Sequence, residues 1–90
     1  MIEKHVVIKN RLGIHARPAT LLVQAAAKFQ AEIFLSKGDV RRINGKSIMG
    51  IMMLAAEHGA ELLIEVEGVD ADEALTAIAA LLEGDFEGKP

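Results

Sequence analysis

The chain reads as a two-layer α+β domain of element order β-α-β-β-α-β-α, and three observations predict it. Segments with period-two alternation, clearest over residues 61–68, are interleaved with segments of helical period, clearest over residues 16–29 and 70–83. The breaks between them are short and carry glycine, as at Gly38-Asp39 and Asn44-Gly45. At 90 residues, 51% of them hydrophobic and none cysteine, the chain has room for one small core and no disulfide to staple it. A chain of this size buries only about 60% of the surface it exposes unfolded, so residues 1–90 are expected to form a single domain.

In the first strand, expected over residues 2–9, Ile2, Val6 and Ile8 share one side and Glu3, His5, Val7 and Lys9 the other. Through residues 16–29, Ala19, Leu22, Val23, Ala26 and Phe29 recur at helical spacing. Arg17, Leu21, Gln24 and Lys28 form a separate stripe on that helix, which leaves Leu21 as an exposed leucine. Residues 31–37 and 40–44 flank Gly38-Asp39 and read as a β-hairpin. Asn44-Gly45 then turns the chain to Ser47, the N-cap of a second helix expected over residues 48–58, with Gly59 as its C′ glycine.

Residues 61–68 alternate cleanly, with Leu62, Ile64 and Val66 inward and Glu61, Glu65 and Glu67 outward. Asp70 and Glu73 have the spacing of a capping box and open a third helix over residues 70–83, whose Ala74, Leu75, Ile78, Leu81 and Leu82 face the core. A loose tail is expected after Gly84. This pattern leaves the strand order open, because a ferredoxin-like sheet shares β-α-β-β-α-β.

Ten Lys/Arg stand against 13 Asp/Glu, for a net charge of −3, but the two halves differ. Residues 1–48 hold nine basic and three acidic side chains, and residues 49–90 hold one and ten. The basic residues are dispersed and no Trp or Tyr offers a stacking platform, so nucleic acid is not the expected partner. A local basic surface that recruits an acidic protein or a phosphate is the better use of those charges. The absence of cysteine excludes a thiol nucleophile and Cys-ligated zinc or iron–sulfur clusters. There is no H-x-H or H-E-x-x-H spacing and no G-x-x-x-x-G-K-S/T loop, so neither a metal nor a cofactor is expected. Met1-Ile2-Glu3-Lys4-His5 lacks the order of a signal peptide and residues 48–56, the longest apolar stretch, fall far short of a membrane span. A soluble cytoplasmic protein with no direct membrane insertion is expected.

The most informative stretch is Leu12-Gly13-Ile14-His15-Ala16-Arg17-Pro18-Ala19-Thr20, between the first strand and the first helix. Pro18 is tolerated only in a first helical turn, which places His15 at or beside the N-cap. The N–H groups of Ala16 and Arg17 then point outward with the positive end of the helix dipole, and the Arg17 guanidinium adds to an anion site. Gly13 lets the chain turn tightly ahead of it. Neutral imidazole is a nucleophile. With no orienting carboxylate close in sequence, the residues suit a chain that accepts and passes on a phosphoryl group and does not activate one. The other reading is a surface histidine that caps a helix.

Residues 47–56 are apolar almost all round. If Ile51, Leu54 and Ala55 cover the sheet, some of Ile48, Met49, Met52 and Met53 face water, where flexible methionines with Leu21 suit a surface that docks several partners. Methionine as core filler is the competing reading. Ser47 is complete as an N-cap. As a phosphorylation site it would place up to about two negative charges inside the apolar patch, the physics of an off-switch. His5 on the first strand and His58 near a helix end read as structural or solvated.

Gly13-Ile14-His15-Ala16-Arg17-Pro18-Ala19-Thr20 and Asn44-Gly45-Lys46-Ser47-Ile48-Met49-Gly50 together closely resemble the HPr family, the histidine-containing phosphocarriers of the bacterial phosphoenolpyruvate-dependent sugar phosphotransferase system. The resemblance covers essentially the whole chain. It implies an open-faced β-sandwich, an antiparallel four-stranded sheet of order 1-4-2-3 covered on one face by three helices. It implies that His15 is phosphorylated on Nδ1 by enzyme I and passes the group to IIA domains, with Arg17 at the phosphate. Ser47 is similar to the serine phosphorylated by HPr kinase/phosphorylase, and Leu21, Ile48, Met49 and Met52 fall on the docking surface. Such a protein is a monomeric phosphoryl-group carrier and not an enzyme with independent turnover. Arg11-Leu12-Gly13 is more like the nitrogen-related branch called NPr, whereas Lys46-Ser47-Ile48-Met49-Gly50 is like the kinase-regulated type. Ala55-Ala56 stands where a glycine-containing stretch commonly follows the second helix. The alternatives are a non-catalytic regulatory module switched at Ser47 and an anion- or metabolite-binding domain unrelated to phosphotransfer.

Overall fold

In the computed structural model, which describes residues 1–11 and 13–84, seven elements follow the expected order. They are β1 (Ile2–Val7), α1 (Ala16–Ala26), β2 (Glu32–Lys37), β3 (Val40–Asn44), α2 (Ile48–Met53), β4 (Glu61–Glu67) and α3 (Ala71–Glu83). The strands form one antiparallel sheet of order β1-β4-β2-β3. The ferredoxin-like arrangement is thereby excluded, and the 1-4-2-3 order implied by the family resemblance is the one observed.

Register explains the core. Val66 stands opposite Ile2 on one side and Ile33 on the other, and Ile64 stands opposite Leu35. The inward side chains of β4, Leu62, Ile64 and Val66, are fully buried, as befits a strand paired along both edges. Ala19, Leu22 and Ala26 of α1, Ile51 of α2 and Ala74, Ile78 and Leu82 of α3 close over that face. Among the described residues no helix lies on the other face. On the edge strand β1, Lys4 occupies a helix-side position, and an inward-pointing charge there discourages pairing with another chain. No described helix is long and apolar enough to cross a membrane.

Several boundaries differ from the periodicity, each for a local reason. β1 ends at Val7 rather than residue 9, although Ile8 stays buried and exchanges backbone bonds with Ala60 and Gly59 at 2.9 Å each. α1 ends at Ala26, because the Lys28 and Phe29 amides turn back to the carbonyls of Ala25 and Ala26. The second helix is the largest correction. It stops at Met53 instead of residue 58, and Ala55 takes φ +50, the left-handed position that glycine usually fills after a helix. Gly59 is therefore a separate turn and not the helix C′, and His58 is an exposed turn residue beyond any helix end. Ala56, not Ala55, enters the core. The expected tail lies outside the described residues.

Asp70 does cap α3 by position, but its side chain makes no capping bond. The carboxylate instead accepts the amides of Gln30 at 2.9 Å and Ala31 at 2.8 Å, pinning the entry to β2. Lys46 holds the same loop from the other side, its Nζ donating to the Phe29 carbonyl at 2.8 Å. The Gln30 amide is the main cause that lowers the Asp70 pKa below its ordinary 3.8; the Ala31 amide, its own N–H and the Lys46 charge add to it against the opposing cost of desolvation.

Two predictions follow from these contacts. Because the folded state lowers the Asp70 pKa, the carboxylate's stabilisation is complete above pH 3.8 and is lost as pH falls through the lower folded-state value. Urea unfolding of wild type and Asp70→Ala should therefore differ fully near neutrality and converge in that acid range. Ala55→Gly should stabilise the protein by about 0.5–1 kcal/mol, seen as a rise in unfolding midpoint, by relieving the left-handed backbone.

Candidate functional site

The β1–α1 connection is tied down before it reaches His15. Asn10, one of two buried polar residues among the described ones, closes a turn: its carbonyl accepts the Gly13 amide at 3.0 Å, and its Nδ2 donates to the Gly13 carbonyl at 2.8 Å. Gly13 sits at φ +72, and a Cβ there would lie 2.7 Å from the Ala56 carbonyl oxygen. The next amide, of Ile14, donates to that same oxygen at 2.8 Å, and the Ile14 side chain is buried. The loop thus rests on the segment that follows α2. Leu12 lies outside the described residues.

His15 is the N-cap of α1, extended at φ −115 and ψ −165, and its carbonyl accepts the Ala19 amide at 2.9 Å. Its side chain makes no capping bond, so the imidazole is not committed to the helix backbone. Ala16, Arg17 and Pro18 are the first three helical residues. Because proline has no N–H, the first-turn donors that an α-helix leaves without an internal acceptor are here the amides of Ala16 and Arg17. No acidic residue lies in the first turn, and Ala16 and Arg17 are both exposed. The helix dipole, two amides and one guanidinium therefore favour an anion beside the ring. The ring itself is half-buried. Its Nε2 is sealed from solvent with no hydrogen-bond partner among the described residues.

Ser47 caps α2 as expected, its Oγ accepting the Gly50 amide at 3.0 Å. Within α2 only Ile51 is buried, with Leu54 just beyond it. Ile48, Met49, Met52 and Met53 are exposed, Met49 by 75%, and so is Leu21 on the adjoining α1. The core-filler reading of these methionines is therefore overturned. Met53, 66% exposed, extends the apolar surface beyond the four residues expected for docking. His5 and His58 are exposed, and their side chains make no hydrogen bond among the described residues. Sequence reasoning missed Asn10 and Lys46. Both act through side-chain bonds to backbone carbonyls, a use of Asn and Lys that no spacing rule reveals.

A compact α+β protein that offers an imidazole and an anion cradle at one helix start, next to an apolar face on two helices, has the architecture of a small phosphocarrier. The family description "PTS HPr component phosphorylation site" matches residues 2–84, and the chain belongs to the HPr family of the phosphotransferase system. It is 51% identical to the phosphocarrier protein HPr of Treponema pallidum over 87 residues, 97% of this chain and 98% of that one. It is 46% identical to the HPr-like protein Crh of Halalkalibacterium halodurans over 83 residues, 92% of this chain and 98% of that protein. The crystal structure of HPr from Bacillus anthracis superimposes with a TM-score of 0.85 at 48% identity, covering 90% of this chain and 95% of that one.

Gly13 is the residue this geometry tolerates least. Gly13→Ala should cost about 1–3 kcal/mol, because the new methyl meets the Ala56 carbonyl at a positive φ. Chemical denaturation measures the loss, and a shift of the Ile14 amide resonance reports the displaced loop.

Proposed function

We propose that this protein carries phosphoryl groups on His15 in the sugar phosphotransferase system. Nδ1 attacks the phosphorus of phosphorylated enzyme I, the P–Nδ1 bond forms as the bond to the donor breaks, and the group then passes to a IIA domain in the same way. The observation that carries this reading is an uncommitted imidazole at a helix start: His15 is the N-cap of α1, its side chain makes no capping bond, and the exposed Ala16 and Arg17 follow it. Arg17 balances charge as the phosphoryl group arrives. Two amides and one guanidinium hold an anion without caging it, which a shuttle needs in order to release its cargo. The protein works in the cytoplasm as a carrier and turns over nothing by itself.

Leu21, Ile48, Met49, Met52 and Met53 form the face on which enzyme I and the IIA domains dock in turn. Polarizable, unbranched methionines let one surface fit several partners. Ser47 lies at the entrance of that face with its Oγ on the Gly50 amide. Phosphorylation by HPr kinase/phosphorylase suits the start of the helix but brings up to about two negative charges into an apolar interface, so docking weakens while the fold survives. Likeness to a Crh protein favours a second reading, a regulatory module that works through Ser47 alone. The nitrogen-related branch is the third, supported by Arg11-Leu12-Gly13.

Intact-mass analysis after mixing with enzyme I, Mg²⁺ and phosphoenolpyruvate separates these readings. An acid-labile phosphoryl adduct is expected on wild type and not on His15→Ala. No adduct with either the sugar-branch or the nitrogen-branch enzyme I would leave the regulatory module, and an adduct only with the latter would assign the nitrogen branch. Ser47→Asp should accept the group about tenfold more slowly, equivalent to roughly 1.4 kcal/mol of lost docking, with an unchanged unfolding midpoint.

A further inference from the structure

Asn10 is buried to 2% exposure, yet it lies in a surface connection, five residues before His15. A buried amide is costly unless its hydrogen bonds are made, and this one makes its bond to the residue that aims the loop. Gly13 is also buried, and its carbonyl has the Asn10 Nδ2 as its donor. Its amide goes to the Asn10 carbonyl, so both sides of Gly13 are held by one residue. Only Ile14 then separates this clamp from His15, and Ile14 is fixed in turn by its amide on the Ala56 oxygen and by its buried side chain. The direction of the Gly13 carbonyl therefore sets the Gly13–Ile14 peptide plane, which sets the Ile14–Ala56 bond, which sets the angle at which His15 enters α1.

We infer that Asn10 is a positioning residue for His15: its side-chain amide holds the Gly13 carbonyl so that the imidazole keeps its place at the start of α1 with Nε2 buried. Without the Nδ2 donor, the buried Gly13 carbonyl turns toward water, the Gly13–Ile14 peptide rotates, and the Ile14 amide leaves Ala56. The ring is then displaced while the docking face on α2, built on Ser47 and Ile51, is untouched. Misplacement of a reacting group by about 1 Å costs on the order of 100-fold in rate. The inference rests on His15 being the phosphoryl acceptor only where the readout is transfer.

The test compares Asn10→Ala with wild type and with Ile78→Val, a change at a buried core position of α3 that lowers stability from a separate element. Transfer from phosphorylated enzyme I should fall at least tenfold in kcat for Asn10→Ala, with an unchanged KM for the carrier, whereas Ile78→Val should keep both. In the same samples, nitrogen NMR of the His15 ring should show an altered balance of Nδ1 and Nε2 protonation, with faster hydrogen exchange at the Ile14 amide. If Asn10→Ala does not fold, Asn10→Ser, whose hydroxyl is too short to reach Gly13 directly, takes its place. A folded variant with wild-type kcat and wild-type ring signals would overturn the inference. If wild type itself takes no phosphoryl group, the carrier reading fails, and the ring signals and Ile14 exchange still decide the role of Asn10.

Discussion

The backbone contact between two loops far apart in sequence is the constraint on which the site depends. Ile14 donates to the carbonyl of Ala56, and Gly13 passes so close to that carbonyl that no side chain fits between. Below it, Ile8 exchanges bonds with Gly59 and Ala60, so the segment that leaves β1 and the one that enters β4 run together as an extension of the central sheet pairing. His15 inherits its place from this seam. A reactive side chain on a free loop would have to be ordered at each encounter, whereas here the ordering is done by folding. The same seam joins the loop of His15 to the segment that follows α2.

The second organising feature is that the two faces of the sheet are used differently. The helix side carries the core and, at its margin, the exposed apolar surface of α1 and α2. The open side carries glutamates at directly opposed positions, Glu3 against Glu65 and Glu32 against Glu67. Like charges facing each other across strands cost stability. Among the described residues only Glu65 has an ion pair, with Arg42 at 3.1 Å, where the Arg42 guanidinium also lies 4.2 Å over the Phe34 ring. An acidic open face discourages sheet-on-sheet association. Arg42 supports this arrangement from a left-handed backbone, φ +53, its amide satisfied by the buried Ser36 hydroxyl at 2.8 Å.

Much of this was legible in the residues alone. The strict alternation of Leu62, Ile64 and Val66 marked a strand with one buried face, and the apolar spacing of Ala74 and Ile78 marked the helix that covers it. His15 as N-cap and Ser47 as N-cap followed from Pro18 and from the apolar run after Ser47, because helix starts are local events governed by a few adjacent residues. Helix ends were less legible. The run after Ser47 stays apolar past Met53, so hydrophobicity could not show that the chain leaves the helix at Ala55 to bring Ala56 against Ile14.

The sequence by itself therefore determined the kinds and order of the elements, the helix start that carries the imidazole, and the excess of apolar residues on α2. Those properties depend on side chains within a turn or two of each other. Tertiary structure alone decided the strand order β1-β4-β2-β3, the partner of the Asp70 carboxylate 39 residues away at Ala31, and the seating of Gly13 on Ala56. These are long-range choices, settled when distant backbone donors and carboxylates lose water together and must find one another in the only packing that satisfies them all.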